Sequence, residues 1–182
     1  KVRIQLTEQA QDTAALINER INTFVSTLTA IARQEILRKD IPYEQKISIL
    51  AHELAFNNSE INAFGICDKK GNVWLTDGRQ LNVADREYYQ SALNGKAFVT
   101  EPMLSRATNK LFTFFSVPIY DDEKHIIGVL YARVDAVGLS NMISDIVIGE
   151  TGDCYVIGLT GNTIGDLDIE AVMSQENSIE KA

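Results

Sequence analysis

The chain opens on a periodic pattern. Ala10, Ala14, Ile17, Ile21, Phe24, Leu28 and Ile31 recur at alternating four- and three-residue steps, with mostly polar positions between them. That spacing predicts one long amphipathic helix carrying a heptad seam, from about Ile4 to Arg38. No proline or glycine interrupts it. At a rise of about 1.5 Å per residue it runs to roughly 50 Å, longer than a small domain is wide. The stretch "DIPYEQ" ends this helix and starts a second, Tyr43 to Phe56, with Ile47, Leu50, Ala51 and Leu54 on one stripe.

From Ile61 the period shortens. "INAFGICDKKGNVWLTDG" reads as two strands around a turn at Gly71-Asn72. "DREYYQSALNGK" reads as a short helix, with Asp85 as its N-cap and Asn94-Gly95 as its stop. A strand at "AFVTEP" and a loop at "MLSRATNK" follow. Two long strands come next, Leu111–Tyr120 and "HIIGVLYARVDA", joined by the acidic turn "DDEK". "VGLSNMISDIVIG" returns to helix. Strands joined mainly by hairpins, with helices gathered to one side, predict an α+β fold on an antiparallel sheet of about five strands. The connections are too short for a parallel doubly wound sheet.

A later stretch repeats part of this plan. Placing Ile66 of "ICDKKGNVWLTD" on Val156 of "VIGLTGNTIGDL" brings Gly71-Asn72 onto Gly161-Asn162. In both, an apolar strand enters a turn ending in Gly-Asn and leaves as a second strand. A second unit of the same kind then begins near Gly152, and about thirty residues of it are too few to bury a core of their own.

Composition narrows the function. Of 182 residues, 45% are apolar and 23% charged, a balance that supports a sizeable soluble core. The formal net charge of −8 argues against a nucleic-acid partner, which needs a clustered basic face. No apolar run reaches bilayer length, and "KVRIQLTEQA" lacks a signal-peptide core. Cys67 and Cys154 each sit in an apolar run, far apart and without zinc spacing, and read as buried free thiols, with a disulfide as the alternative.

Catalysis finds no support. "GLTGNT" lacks the lysine of a phosphate-binding loop, no nucleophile elbow is present, and His52 and His125 are widely separated. No metal, cofactor or enzymatic activity is expected. Recognition chemistry remains. Arg86 offers a planar fork for a carboxylate, and Tyr88 and Tyr89 offer hydroxyls on flat apolar bodies. Asp135 could meet an ammonium group, while Met103, Ser105, Phe114 and Phe115 could line a pocket.

The order of elements resembles the double Cache sensor region of bacterial methyl-accepting chemotaxis proteins. It is carried by the long first helix, "DKKGNV", "DREYYQSALNGKAFVTEP", "LFTFFSVPIYDDEKHIIGVLYARVD" and the restart at "TGDCYVIGLTGNTIGD". The resemblance spans nearly the whole chain, but only the opening of the family's second module. It implies a stalk helix over 1–40, a membrane-distal PAS-like module over 41–150, and the start of a membrane-proximal module over 151–182. It further implies an extracytoplasmic domain of a membrane-spanning receptor that binds a small amino acid or organic acid. A weak homodimer through Ile17, Ile21, Phe24 and Leu28 is expected as well.

In amino-acid-binding members an Arg-x-Trp-Tyr stretch holds the ligand carboxylate, and Arg86-Glu87-Tyr88-Tyr89 stands in that place. Asp135 matches a later aspartate that meets the amine. The family's Tyr-x-Asp pair is replaced by Met103-Leu104-Ser105, which favours a carboxylate-bearing metabolite over an α-amino acid. Related regions also head histidine kinases and diguanylate cyclases. A module that only dimerises, without a ligand, is the alternative of another class.

Overall fold

The computed structural model describes residues 2–57, 60–143, 156–157 and 163–165. Helix α1 spans Val2–Ala32, and a single further turn, α2, spans Glu35–Arg38. The helix expected to reach Arg38 is therefore broken at Arg33-Gln34, without proline or glycine. Gln34 takes an extended backbone (ψ 134°), and its Nε2 donates to Glu53 Oε1 at 2.9 Å. The break turns Leu37 into the core, where it is fully buried. Burying a leucine contributes about 1.5–3 kcal/mol, more than continuing one helical turn through those two residues.

Helix α3 covers Tyr43–Asn57, close to its expected bounds. Its Lys46 is buried and donates from Nζ to Leu37 O at 3.0 Å, and Tyr43 stacks on Trp74 with ring centroids 3.8 Å apart.

The strands are β1 (Ile61–Cys67), β2 (Asn72–Leu75), β3 (Gln80–Asn82), β4 (Phe98–Val99), β5 (Met103–Leu104), β6 (Leu111–Tyr120) and β7 (Ile126–Val134). Helix α4 (Glu87–Leu93) falls between β3 and β4, and α5 (Ala136–Ile143) follows β7. All pairs are antiparallel, in the order β3-β2-β1-β7-β6-β4, with β5 also on β6. Five strands fall where the pattern put them. The two extra ones are β3 and β5; Met103–Leu104, read as loop, pairs with Phe112 and Leu111.

Both faces of the sheet are buried. On one, Phe115, Val117, Phe64 and Leu130 meet Leu28, Ile31 and Leu50 of the long helices. On the other, Phe112, Phe114, Val129 and Tyr131 meet Tyr88 and Tyr89 of α4. This double burial explains the nearly continuous apolar run of β6, where side chains alternate between two cores rather than between core and water.

The seam on α1 is used within the chain. Phe24 packs on Phe115 with centroids 4.5 Å apart, and Leu28 is buried. Part of the seam therefore covers the chain's own sheet: Leu28 is committed there, while Phe24 is only partly buried. Ile17 and Ile21 are half-buried, and Leu16 remains 49% exposed.

Two short strands, β8 (Val156–Ile157) and β9 (Thr163–Gly165), pair antiparallel on either side of Gly161-Asn162. Cys154 and the remainder of 144–182 lie outside the described residues. Cys67 is a free, buried thiol. Among the described residues, no helix is long and apolar enough to cross a membrane.

Candidate functional site

Helix α4 is placed by the turn before β2. Asp68 Oδ1 accepts from the N–H groups of Lys70 and Asn72 at 2.8 and 2.9 Å, closing that turn around Gly71. Gly71 has φ +80°, and a Cβ there would stand 2.6 Å from the Ala84 backbone, so only glycine allows the approach. Val83 N–H donates to Gly71 O at 2.8 Å and locks the lead-in to α4.

The cap of α4 differs from expectation. Arg86, not Asp85, is the N-cap residue, and no side chain caps the helix. Asp85 instead receives both ends of the Arg106 guanidinium, with Arg106 Nη1 2.6 Å from Asp85 Oδ1. A bidentate partner across the loop outcompetes the local backbone N–H groups for that carboxylate. The same pairing holds the Asp85 carboxyl below the usual range.

Five expected residues come together. Arg86, Tyr88, Met103, Ser105 and Phe114 line one small cleft between α4, β5 and the sheet. The Tyr88 ring stacks on Phe114 (centroids 4.6 Å) and meets the edge of Tyr131 at 5.3 Å. Burial pushes the Tyr88 and Tyr131 phenols up, so both stay protonated and able to donate. Arg86 reaches only Leu104 O, at 3.4 Å. Ser105 Oγ accepts from Ala107 N–H at 3.2 Å and shapes the loop to β6. The free volume is about 10 Å³, room for one water, with aromatic rings filling the space.

Three expected residues lie elsewhere. Tyr89 turns away, and its hydroxyl donates to Asp68 O at 3.0 Å under the β1–β2 turn. Adjacent residues on a helix diverge by about 100°, so the two tyrosines could not share one wall. Asp135 Oδ1 accepts from Gly138 N–H at 2.8 Å and caps the start of α5. Phe115 faces the opposite core, because neighbours on a strand alternate.

The structure adds Tyr131 and Arg106 to the cleft, with Leu81 and Val83 beside them. Tyr131 was legible as an alternate position on β7, but its face depended on register. Arg106 lies in the loop and carried no pattern at all. Beyond Arg106 lies Arg133, whose Nε and Nη2 donate to Asn62 Oδ1 at 3.0 and 2.6 Å. Arg133 Nη2 also reaches Asp77 Oδ2 at 2.9 Å. Burial works to raise the Asp77 carboxyl, but the Arg79 N–H and the two guanidiniums outweigh it and hold it low. Among the described residues no group of three or more His, Cys, Asp or Glu side chains could hold a metal ion.

A family model described as "Cache domain" matches residues 1–181. Among solved structures, the chain is similar to the sensory domain of the Campylobacter jejuni chemoreceptor Tlp3 (CcmL) with isoleucine bound. The identity is 20%, over 94% of this chain and 72% of that one, with a TM-score of 0.67. It is also similar to the ligand-binding domain of the Pseudomonas fluorescens chemoreceptor CtaA in complex with L-serine (18% identity, 96% and 76% covered, TM-score 0.72). A third is the ligand-binding domain of the Pseudomonas aeruginosa PAO1 amino acid chemoreceptor PctB in complex with L-Arg (18% identity, 96% and 74% covered, TM-score 0.70). At these identities the likeness speaks for the fold. No curated protein matches the chain.

Proposed function

We propose a function from one premise: the chain belongs to the Cache domain family. The protein is the extracytoplasmic, ligand-binding sensor domain of a transmembrane chemoreceptor. It binds a small carboxylate-bearing metabolite or amino acid in the cleft beside α4. One observation carries this reading: Arg86, Tyr88, Met103, Ser105 and Phe114, scattered over 29 positions, converge on a single cleft. A guanidinium at the rim and phenols on the wall suit a carboxylate that is partly desolvated. The structurally similar domains of Tlp3, CtaA and PctB hold amino acids.

Around that cleft, residues 41–150 form the membrane-distal module, and α1 is the stalk that leads toward the membrane. Residues 151–182 open a second module, in which β8 and β9 repeat the β1–β2 hairpin. Two copies associate weakly through the N-terminal part of α1, where Leu16 and Ile17 remain available.

A thermal-shift screen of organic acids and amino acids tests the proposal. The expected result is stabilisation by at least one carboxylate, lost in Arg86→Ala. No stabilisation by any of them, or stabilisation indifferent to Arg86, would overturn it.

A further inference from the structure

The charges around the cleft are one-sided. Among the described residues no carboxylate lines it; its charged groups are Arg86 and Arg106, and the neighbouring Asp85 is already held by Arg106. A polar hollow adjoins it, sharing Arg106 and Ala107, and adds Arg79, Lys110 and Arg133 against a single acid, Asp77. Asp77 is already committed, receiving Arg79 and Arg133 at 2.9 Å each. This basic surface stands in a chain of formal net charge −8, so it does not reflect a generally basic protein.

Arg133 shows what is missing. It is 2% exposed, its Cζ lies 4.7 Å from the Phe112 ring centroid, and its Nη1 is buried without a hydrogen-bond partner. Thr108 Oγ1, in the loop over the same hollow, is buried and unpartnered too. Unmatched buried polar atoms are rare in folded proteins, and a charged donor is the costlier kind. Both groups can donate. A carboxylate accepts at two oxygens, so one carboxylate could satisfy both.

We infer that the ligand is a small dicarboxylate, with one carboxylate on Arg86 and the other on Arg133 and Thr108. This rests on the sensor reading of the cleft and narrows its ligand class. An α-amino acid would bring its ammonium among arginines with no free carboxylate to meet it, and like charges repel most where water is excluded. The second carboxylate enters the hollow of about 590 Å³ that Thr108, Lys110 and Arg133 line.

The test is calorimetry on the 182-residue protein with succinate, propionate and L-alanine, each at matched ionic strength. Succinate is expected to bind at least about tenfold more tightly than the other two. Thr108→Val should weaken succinate severalfold and leave propionate unchanged; it preserves volume, so folding is not at stake. Arg133→Gln should erase the preference. Because Arg133 is built into the sheet, the wild-type NMR signal of its Nε–H provides an independent readout, expected to move with succinate and not with propionate. Equal affinity for succinate and propionate, or a preference for L-alanine, with dependence on Arg86 retained, would refute the dicarboxylate and leave the sensor reading standing. Binding of none of the three probes would refute the dicarboxylate, and the broader metabolite screen then judges the sensor reading separately.

Discussion

The Tyr131 ring occupies the space where a side chain at Gly65 would begin: a Cβ at Gly65 would stand 2.3 Å from Tyr131 Cζ. The two residues are direct partners across β1 and β7. The absence of a side chain on one strand is therefore what lets an aromatic ring on the next lie flat and reach the cleft. Gly65→Ala should destabilise the fold by about 1–3 kcal/mol, the usual cost of overpacking. Combined with Tyr131→Ala, it should cost less than the sum of the two single changes. Urea unfolding of the three variants measures the coupling, and simple additivity would contradict it.

Arg86→Ala should weaken binding of the carboxylate ligand about ten- to a hundredfold, since a charge-assisted hydrogen bond contributes ~1.5–3 kcal/mol. Arg86→Lys should recover only part, because an ammonium cannot reproduce the planar fork. The fold should be unaffected, as Arg86 is half-exposed and its one side-chain hydrogen bond is long. Titration calorimetry, with circular dichroism as the folding control, checks both variants.

Acid should loosen the β2–β3 corner. The Asp77 carboxyl is held below its unfolded value by the Arg79 N–H and by two guanidiniums, against the opposing effect of burial. Its contribution is therefore fully present above the ordinary carboxylate value of about 3.9 and is lost as pH falls through the lower folded value. Asp77→Asn should be less stable than wild type at about pH 5, and the gap should narrow toward about pH 3. Urea midpoints across that range report it; a constant gap would mean the carboxylate's charge is irrelevant.

Self-association should depend on the free part of α1. Ile17→Glu is expected to abolish a weak dimer seen by sedimentation at high concentration, with the circular dichroism spectrum unchanged. Leu28→Ala should instead cost about 2–5 kcal/mol of stability, because Leu28 is buried against the sheet of its own chain. A dimer indifferent to Ile17→Glu would place the contact elsewhere.

Legibility tracked the range of the forces involved. The helix over α1 and the hairpin of β6 and β7 could be read because hydrophobic period and turn chemistry act between near neighbours. So could the convergence of Arg86 and Tyr88, two residues apart at the start of one helix. The break at Arg33-Gln34 could not be read, since its cause is a pocket for Leu37 built by residues far along the chain. Asp85 looked like a cap for the same reason in reverse: its true partner, Arg106, lies 21 residues away.

By itself the sequence determined the main helices, five of the seven strands of the large sheet, the antiparallel α+β plan, and that Arg86 and an aromatic neighbour stand together on a short helix. Those are consequences of local spacing, where side-chain direction follows from 3.6- or two-residue periods. Only the tertiary structure decided which tyrosine faces the cleft, that Tyr131 and Arg106 complete it, and that Asp135 serves a helix cap instead. It alone brought Arg133 and Thr108, 25 positions apart, to the lining of one hollow with two buried polar atoms unmatched. Register across β1, β7 and β6 sets those faces, and register is a property of paired strands that no single segment contains.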